Sequence, residues 1–209
     1  QQMVDEFLSA GIKVMMMPQA EEWDGRESTL SHSRLHEVAI EDLLPREKIE
    51  VDMDAIGALL TGKRILITGA AGSIGSEMVR QVAKYHPAEM ILIDQAETPM
   101  HDVRLIMKDQ FADVKNQTIV GSITDKPFME KIFEVHRPEY VFHAAAYKHV
   151  PMMEDNPAMA VRNNVNGTRI IADLAVKYGT KKFVMISTDK AVNPTNVMGC
   201  SKRICEIYC

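Results

Sequence analysis

The stretch Arg64-Ile65-Leu66-Ile67-Thr68-Gly69-Ala70-Ala71-Gly72-Ser73-Ile74-Gly75 constrains the fold more than any other part of the chain. An apolar run of strand length passes through three glycines into a segment with Ile74, Met78 and Val82 at helical spacing. Gly69 permits a tight turn, Gly72 lets a phosphate-bearing ligand approach the backbone, and Gly75 lets the helix pack on the strand. The helix start offers unpaired N–H donors and a positive dipole to an anion. Gly69, Ala71, Gly72, Ser73, Ile74 and Gly75 are therefore the expected diphosphate cradle.

The same alternation continues downstream. Strands are expected at Ile65–Thr68, Met90–Ile93, Thr118–Val120, Tyr140–His143 and Phe183–Ser187. Between them lie a helix around Val103 to Phe111, a helix capped by Asp125 with Pro127 in its first turn, and a long helix opened by Asn156-Pro157 and ended by Gly179. This is the pattern of an α/β Rossmann-type doubly wound parallel sheet over residues 64–209, truncated before its later strands. Residues 1–18 read as the tail of a preceding α/β nucleotide-binding-like domain, with a helix closing at Gly11 and a buried strand from Ile12 to Met17. Residues 19–63 read as a linker holding two amphipathic stretches, Ile40 to Leu44 and Met53 to Leu60.

A net charge of -5 excludes a broad nucleic-acid face, which needs clustered cations to displace phosphate counterions. No apolar run is long enough to span a bilayer and no secretory signal opens the chain, so a cytoplasmic protein is expected. Cys200, Cys205 and Cys209 crowd the last turns without the partners a metal site needs, and are expected to be structural core residues with no metal.

Asp94 closes the second strand about 20 residues past Gly75, where a carboxylate accepts from an adenosine ribose 2′-hydroxyl. An anion there repels a 2′-phosphate, so the expected cofactor is NAD or NADP with NAD preferred. Ser122 and Ile123 follow the third strand at the adenine edge. Ala144 and Ala145 follow the fourth and leave room for a nicotinamide ribose, while His143 before them reads as a satisfied buried histidine. Tyr147 to Glu154 form a loop at the carboxyl edge, from which Lys148 can meet a substrate phosphate or hydroxyl.

The fifth strand ends in Ser187-Thr188-Asp189-Lys190-Ala191-Val192-Asn193-Pro194-Thr195-Asn196-Val197-Met198-Gly199-Cys200-Ser201-Lys202. Together with the glycine turn and Asn164-Val165-Asn166-Gly167-Thr168, it makes Arg64 to Cys209 resemble the CapD-like polysaccharide-biosynthesis proteins. These are extended short-chain dehydrogenases acting as inverting UDP-N-acetylglucosamine 4,6-dehydratases. Arg34 to Leu44 and the leading strand are similar to that family's join to a preceding domain.

The resemblance implies an NAD(P)-dependent lyase acting on a UDP-sugar in capsule or surface-polysaccharide synthesis. It makes Lys190 the base at C5, Asp189 the acid for the C6 hydroxyl and Thr188 the hydroxyl orienter. Lys202 would bind the cofactor ribose, with Lys148 and Asn164 toward substrate. Ser122 departs from the acidic residue usual in such enzymes. Met198 stands where they carry the tyrosine of Tyr-x-x-x-Lys, and a thioether takes no proton. Asp189, Lys190 and a water ordered by Thr188 and Lys202 are left as acceptors.

Long family members carry N-terminal membrane helices, so the implied parent is anchored to the inner membrane; a homo-oligomer is compatible with the sequence. The rival readings are a UDP-sugar 4-epimerase or reductase on the same scaffold, and a non-catalytic nucleotide-binding module. With one wall of the sugar site in the later strands, the 209-residue chain is expected to bind cofactor weakly at most and not to turn over.

Overall fold

The computed structural model describes Met15–Met16, His36–Glu37 and residues 52–209. The chain divides into two compact units, Gln1–Val51 and Asp52–Cys209. In the first, β1 (Met15–Met16) pairs antiparallel with β2 (His36–Glu37), Met15 opposite Glu37 and Met16 opposite His36. β1 lies within the strand expected from Ile12 to Met17, whereas β2 lies in the expected linker and supplies β1 with backbone partners. The helix end at Gly11 and the stretch Ile40 to Leu44 lie outside the described residues.

The second unit begins earlier than Arg64. α1 (Met53–Leu60) is capped by Asp52, whose carboxylate accepts from the Ala55 N–H at 2.9 Å. Leu60 is buried and Ile56 packs on the core, so this helix belongs with the sheet rather than with a linker.

Five parallel strands follow: β3 (Arg64–Thr68), β4 (Glu89–Asp94), β5 (Asn116–Val120), β6 (Tyr140–His143) and β7 (Lys182–Met185). Their spatial order is β5-β4-β3-β6-β7, which puts the glycine-turn strand at the centre. Ile65, Leu66 and Ile67 are wholly buried because a parallel sheet is covered on both faces. Side chains alternate between two cores. Ile65, Ile67, Met90 and Leu92 meet α2 (Ser73–Ala83) and α3 (Glu97–Gln110) through Val79, Val82, Val103 and Met107. Leu66, Ile91 and Ile93 meet the opposite layer, α4 (Lys126–His136) and α7 (Gly167–Lys177), through Met129, Phe133, Ile171 and Leu174. Each of these side chains contributes about 1.5–3 kcal/mol by leaving water.

β5 begins two residues before the expected Thr118, β7 runs from Lys182 to Met185 rather than from Phe183 to Ser187, and two other segments differ in kind from the sequence expectation. Within the loop from Tyr147 to Glu154, Pro151 starts the short helix α5 (Val150–Asp155) in the first turn, where its missing N–H costs nothing. The long helix from Asn156 is broken into α6 (Pro157–Ala160), a π-helical turn (Val161–Asn166) and α7. Buried polar bonds made by Asn163 and Asn164 accompany the wider turn. α8 (Val197–Tyr208) ends the chain, its Asn196 cap accepting from the Gly199 N–H at 2.7 Å.

Candidate active site

The glycine turn is built as its residues dictate. Gly69 has φ 71°, and a Cβ there would lie 2.5 Å from the Ala145 nitrogen on the neighbouring β6 loop. A Cβ on Gly75 would lie 1.9 Å from the Gly69 carbonyl oxygen, so α2 can pack against the turn only with glycine at this position. Gly72 is the open member of the three, with nothing closer than 3.4 Å. It is also the N-cap of α2, and no side chain caps that helix. By contrast, side chains cap α1, α4 and α8. The first N–H groups of α2 are thus left available to an anion.

Asp94 stands beside this turn. Its Oδ2 accepts from the Ala71 N–H at 3.1 Å and its Oδ1 from the Ala96 N–H at 3.0 Å. The carboxylate fastens the turn to the end of β4 and keeps lone pairs for a ribose hydroxyl. A small cavity of about 100 Å³ opens there, lined by Gly69, Gly72, Asp94, Ile123, Ala144 and Ala145 among others. Ser122 does not line it; its hydroxyl is turned to Thr124, with the two oxygens 2.9 Å apart.

A cavity of about 780 Å³ adjoins the first, sharing Gly72, Ala144, Ala146 and Tyr147 with it. Ser73, Ile74, Lys148, Thr188, Lys190, Met198 and Lys202 line it, and Asn164 does not. Apart from the Tyr147 phenol, its ionisable lining among the described residues is Lys148, His149, Lys190 and Lys202, with no carboxylate. Such a lining attracts a diphosphate. The rest of the wall is apolar and sulfur-rich, with Met152, Met153 and Met159 facing Ile74 and Ile186 across the space.

The chemistry-bearing groups hang from the end of β7. The Thr188 side chain accepts from the Lys190 N–H at 3.4 Å, closing a short 3₁₀ turn (Asp189–Ala191) that points Lys190 into the cavity. Asp189 lies outside the lining, its side chain 86% exposed and its Oδ1 3.4 Å from Lys190 Nζ. The Thr188 hydroxyl and the Lys190 ammonium hold this carboxyl below the usual range, hence ionised. Lys202 reaches from α8 to donate to the Ile186 carbonyl at 2.6 Å. Burial lowers its pKa from the ordinary lysine value. Met198 is buried against Met153 and Ala160.

Behind these groups, Asn164 is fully buried and ties three elements together. Its Oδ1 accepts from the Tyr147 N–H at 2.8 Å, and its Nδ2 donates to the Tyr147 carbonyl at 3.0 Å and to Ser201 Oγ at 2.9 Å. Asn164 thus holds the β6 loop onto α8 from within the core. His143 is also buried, its two ring nitrogens 2.6 Å from Thr68 Oγ1 and 2.9 Å from Thr168 Oγ1. Burial brings its pKa down to about 3, so the ring is neutral and structural. Sequence reasoning did not single out Gln95, Asn163 and His149 as cavity-lining residues. Gln95 follows Asp94 directly, but nothing in a linear pattern shows that it faces the β6 loop.

Cys205 is buried, while Cys200 and Cys209 are exposed; this corrects the expectation that all three are core residues. Cys200 lies off the packed face of α8, and Cys209 follows the helix's last residue, Tyr208. Among the described residues no His/Cys/Asp/Glu cluster can hold a metal ion, and no helix is long and apolar enough to cross a membrane.

Comparison with known proteins adds the following. The family model described as polysaccharide biosynthesis protein matches residues 65–209. The capsular polysaccharide biosynthesis protein CapD of Staphylococcus aureus is 42% identical over 94% of this chain, which spans 33% of CapD. The UDP-N-acetylglucosamine 4,6-dehydratase (inverting) of Campylobacter jejuni is 33% identical over 69% of the chain and 42% of the enzyme. Two solved structures share the fold. The UDP-glucose 4-epimerase of Thermotoga maritima with UDP-glucose has TM-score 0.60 and 30% identity, over 69% of this chain and 49% of that one. DesIV, a dTDP-glucose 4,6-dehydratase from Streptomyces venezuelae with NAD and TYD bound, has TM-score 0.60 and 25% identity, over 69% and 50%. The chain therefore spans about a third to a half of the proteins it matches.

Proposed function

The chain belongs to the polysaccharide biosynthesis protein family, and from that premise we propose that it forms the cofactor-binding half of a 4,6-dehydratase for UDP-N-acetylglucosamine or a related UDP-sugar. The observation that carries the proposal is the pair of adjoining cavities, an open glycine cradle leading into a carboxylate-free space lined by Lys148, Lys190 and Lys202. The dehydratase relatives support it.

The residues present fit a dinucleotide. Gly72 leaves its flank open, α2 presents uncapped N–H groups, and Asp94 waits at the adenosine end. Bound NAD would supply the hydride acceptor for sugar C4 and the donor for C6. Lys202 would orient the nicotinamide ribose while braced on the Ile186 carbonyl. Lys190, once its ammonium has given up a proton to solvent, would remove the C5 proton from inside the cavity and return it to C5 as hydride reaches C6. Asp189 would deliver a proton to the departing C6 hydroxyl. Since the carboxyl is held ionised, it must first receive that proton, and the C4 hydroxyl is the source that balances the step. With Met198 in the usual tyrosine position, this gives the hydroxyl proton somewhere to go.

An epimerase reading is favoured by the likeness to UDP-glucose 4-epimerases, the Thermotoga enzyme among them. Mass spectrometry of UDP-N-acetylglucosamine incubated with NAD and the longer parent protein separates the two. Loss of one water supports dehydration. An unchanged mass with inversion at C4 would replace it with epimerisation.

A further inference from the structure

One hydrogen bond crosses the cofactor site. Gln95, on the loop after β4, donates through Nε2 to the Tyr147 hydroxyl, on the loop after β6, at 3.1 Å. In the sheet β4 and β6 flank β3 on opposite sides. A direct link between their carboxyl-end loops therefore passes over the end of β3, where the glycine turn lies. Both residues line the small cavity, and Tyr147 lines the large one too, which puts its side chain at the waist between them. The two anchor points differ in firmness. Tyr147 is held at its backbone N–H and carbonyl by the buried Asn164, itself fastened to Ser201 on α8. Gln95 is exposed and makes no other side-chain hydrogen bond among the described residues.

We propose that the Gln95–Tyr147 bridge is a gate over the diphosphate waist of the cofactor cleft, hinged on the anchored tyrosine and opened by release of the exposed glutamine. The proposal rests on the cofactor-binding reading of the site. A ligand that runs from Asp94 to Lys202 must pass under this bridge, so the bridge parts for entry and again for exit. The bridge is formed in the structure, so its opening is part of both rates. Retention suits the proposed chemistry, in which hydride leaves and returns within one turnover and the cofactor has no need to exchange.

The test is the kinetics of NADH binding to the longer parent protein, followed by stopped-flow fluorescence. Tyr147→Phe keeps the ring and its packing and removes only the hydroxyl; Gln95→Ala removes the other half of the bridge. Each is expected to raise association and dissociation rates together by about two- to tenfold, the factor one net hydrogen bond supplies, with the dissociation constant almost unchanged. The double substitution should add nothing to either single one, since both break the same bond. A rise in dissociation alone would make the pair ligand contacts and overturn the gate, as would unchanged rates. If the unsubstituted parent protein binds no NADH, the cofactor reading falls and the gate falls with it. Binding with unaltered rates in the variants sinks the gate only.

Discussion

Two residues decide most of what the site can do. Lys190 faces the cavity on a 3₁₀ turn, while Asp189 beside it looks outward, ionised and 3.4 Å from the lysine amine. If they share the proton transfers, Lys190→Ala and Asp189→Asn in the longer parent should each cut turnover by about 10²–10⁴-fold. NADH affinity should stay nearly constant, since neither lines the adenosine end. Wild-type rates of hydride transfer and water loss in Lys190→Ala would remove it from the mechanism. Asp94 governs the other end. Its charge is already engaged by the Ala71 and Ala96 N–H groups, and an added 2′-phosphate would meet an anion that, among the described residues, bonds no cation. NAD should therefore bind more tightly than NADP in titration calorimetry, and the reverse order would refute this role for Asp94.

At the scale of elements, the glycine turn separates stability from binding. Gly75→Ala places a Cβ 1.9 Å from a backbone oxygen, so α2 must shift away from the turn. The expected cost is about 1–3 kcal/mol in denaturant unfolding, with loss of NADH binding. Gly72→Ala meets nothing closer than 3.4 Å and should unfold within about 1 kcal/mol of the parent chain, yet it blocks the ligand's approach. A Gly72→Ala chain that binds NADH normally would show that the cradle lies elsewhere. The turn was legible because strand, glycines and helix are contiguous, and so were β3, β4 and β6, whose apolar runs are nearly continuous, whereas the polar start of β5 and the half-exposed β7 left their bounds about two residues off. The π-helical turn and the bridge from Gln95 were not. Val161–Asn166 carries no pattern that distinguishes a wide turn from an α-helix, since the change is made by bonds to partners far along the chain. α1 was misplaced for a related reason: Met53–Leu60 has a weak amphipathic pattern, and only packing of Leu60 and Ile56 assigns it to the sheet. Among the site residues, those in local motifs were readable, and those set by the meeting of two loops were not.

For the molecule as a whole, a neutral histidine joins the two halves of the sheet to the helical layer. His143 links Thr68 of β3 to Thr168 of α7, and folding lowers its pKa from the ordinary 6.5 to about 3. Between those values the unfolded chain binds the extra proton, so stability rises with pH across the window and is lost as pH falls below 6.5. Urea unfolding at a series of pH values down to 5 should show this loss before the carboxylates titrate, and His143→Gln should flatten it. An equally steep loss in the variant would assign the effect to other groups. The central place of β3 has a consequence for the order in which the molecule can be made. β4, the partner of β3 on one side, follows after a single helix; β6, the partner on the other side, arrives only after β5 and α4. During synthesis the central strand therefore waits with one side unpaired while the β3–β6 interval is translated. A nascent chain stalled before Tyr140 displays an open edge of Ile65, Leu66 and Ile67, and that edge is a template for pairing with a second nascent chain. Crowding on a polysome would turn the strand that anchors the finished fold into the point where assembly goes astray.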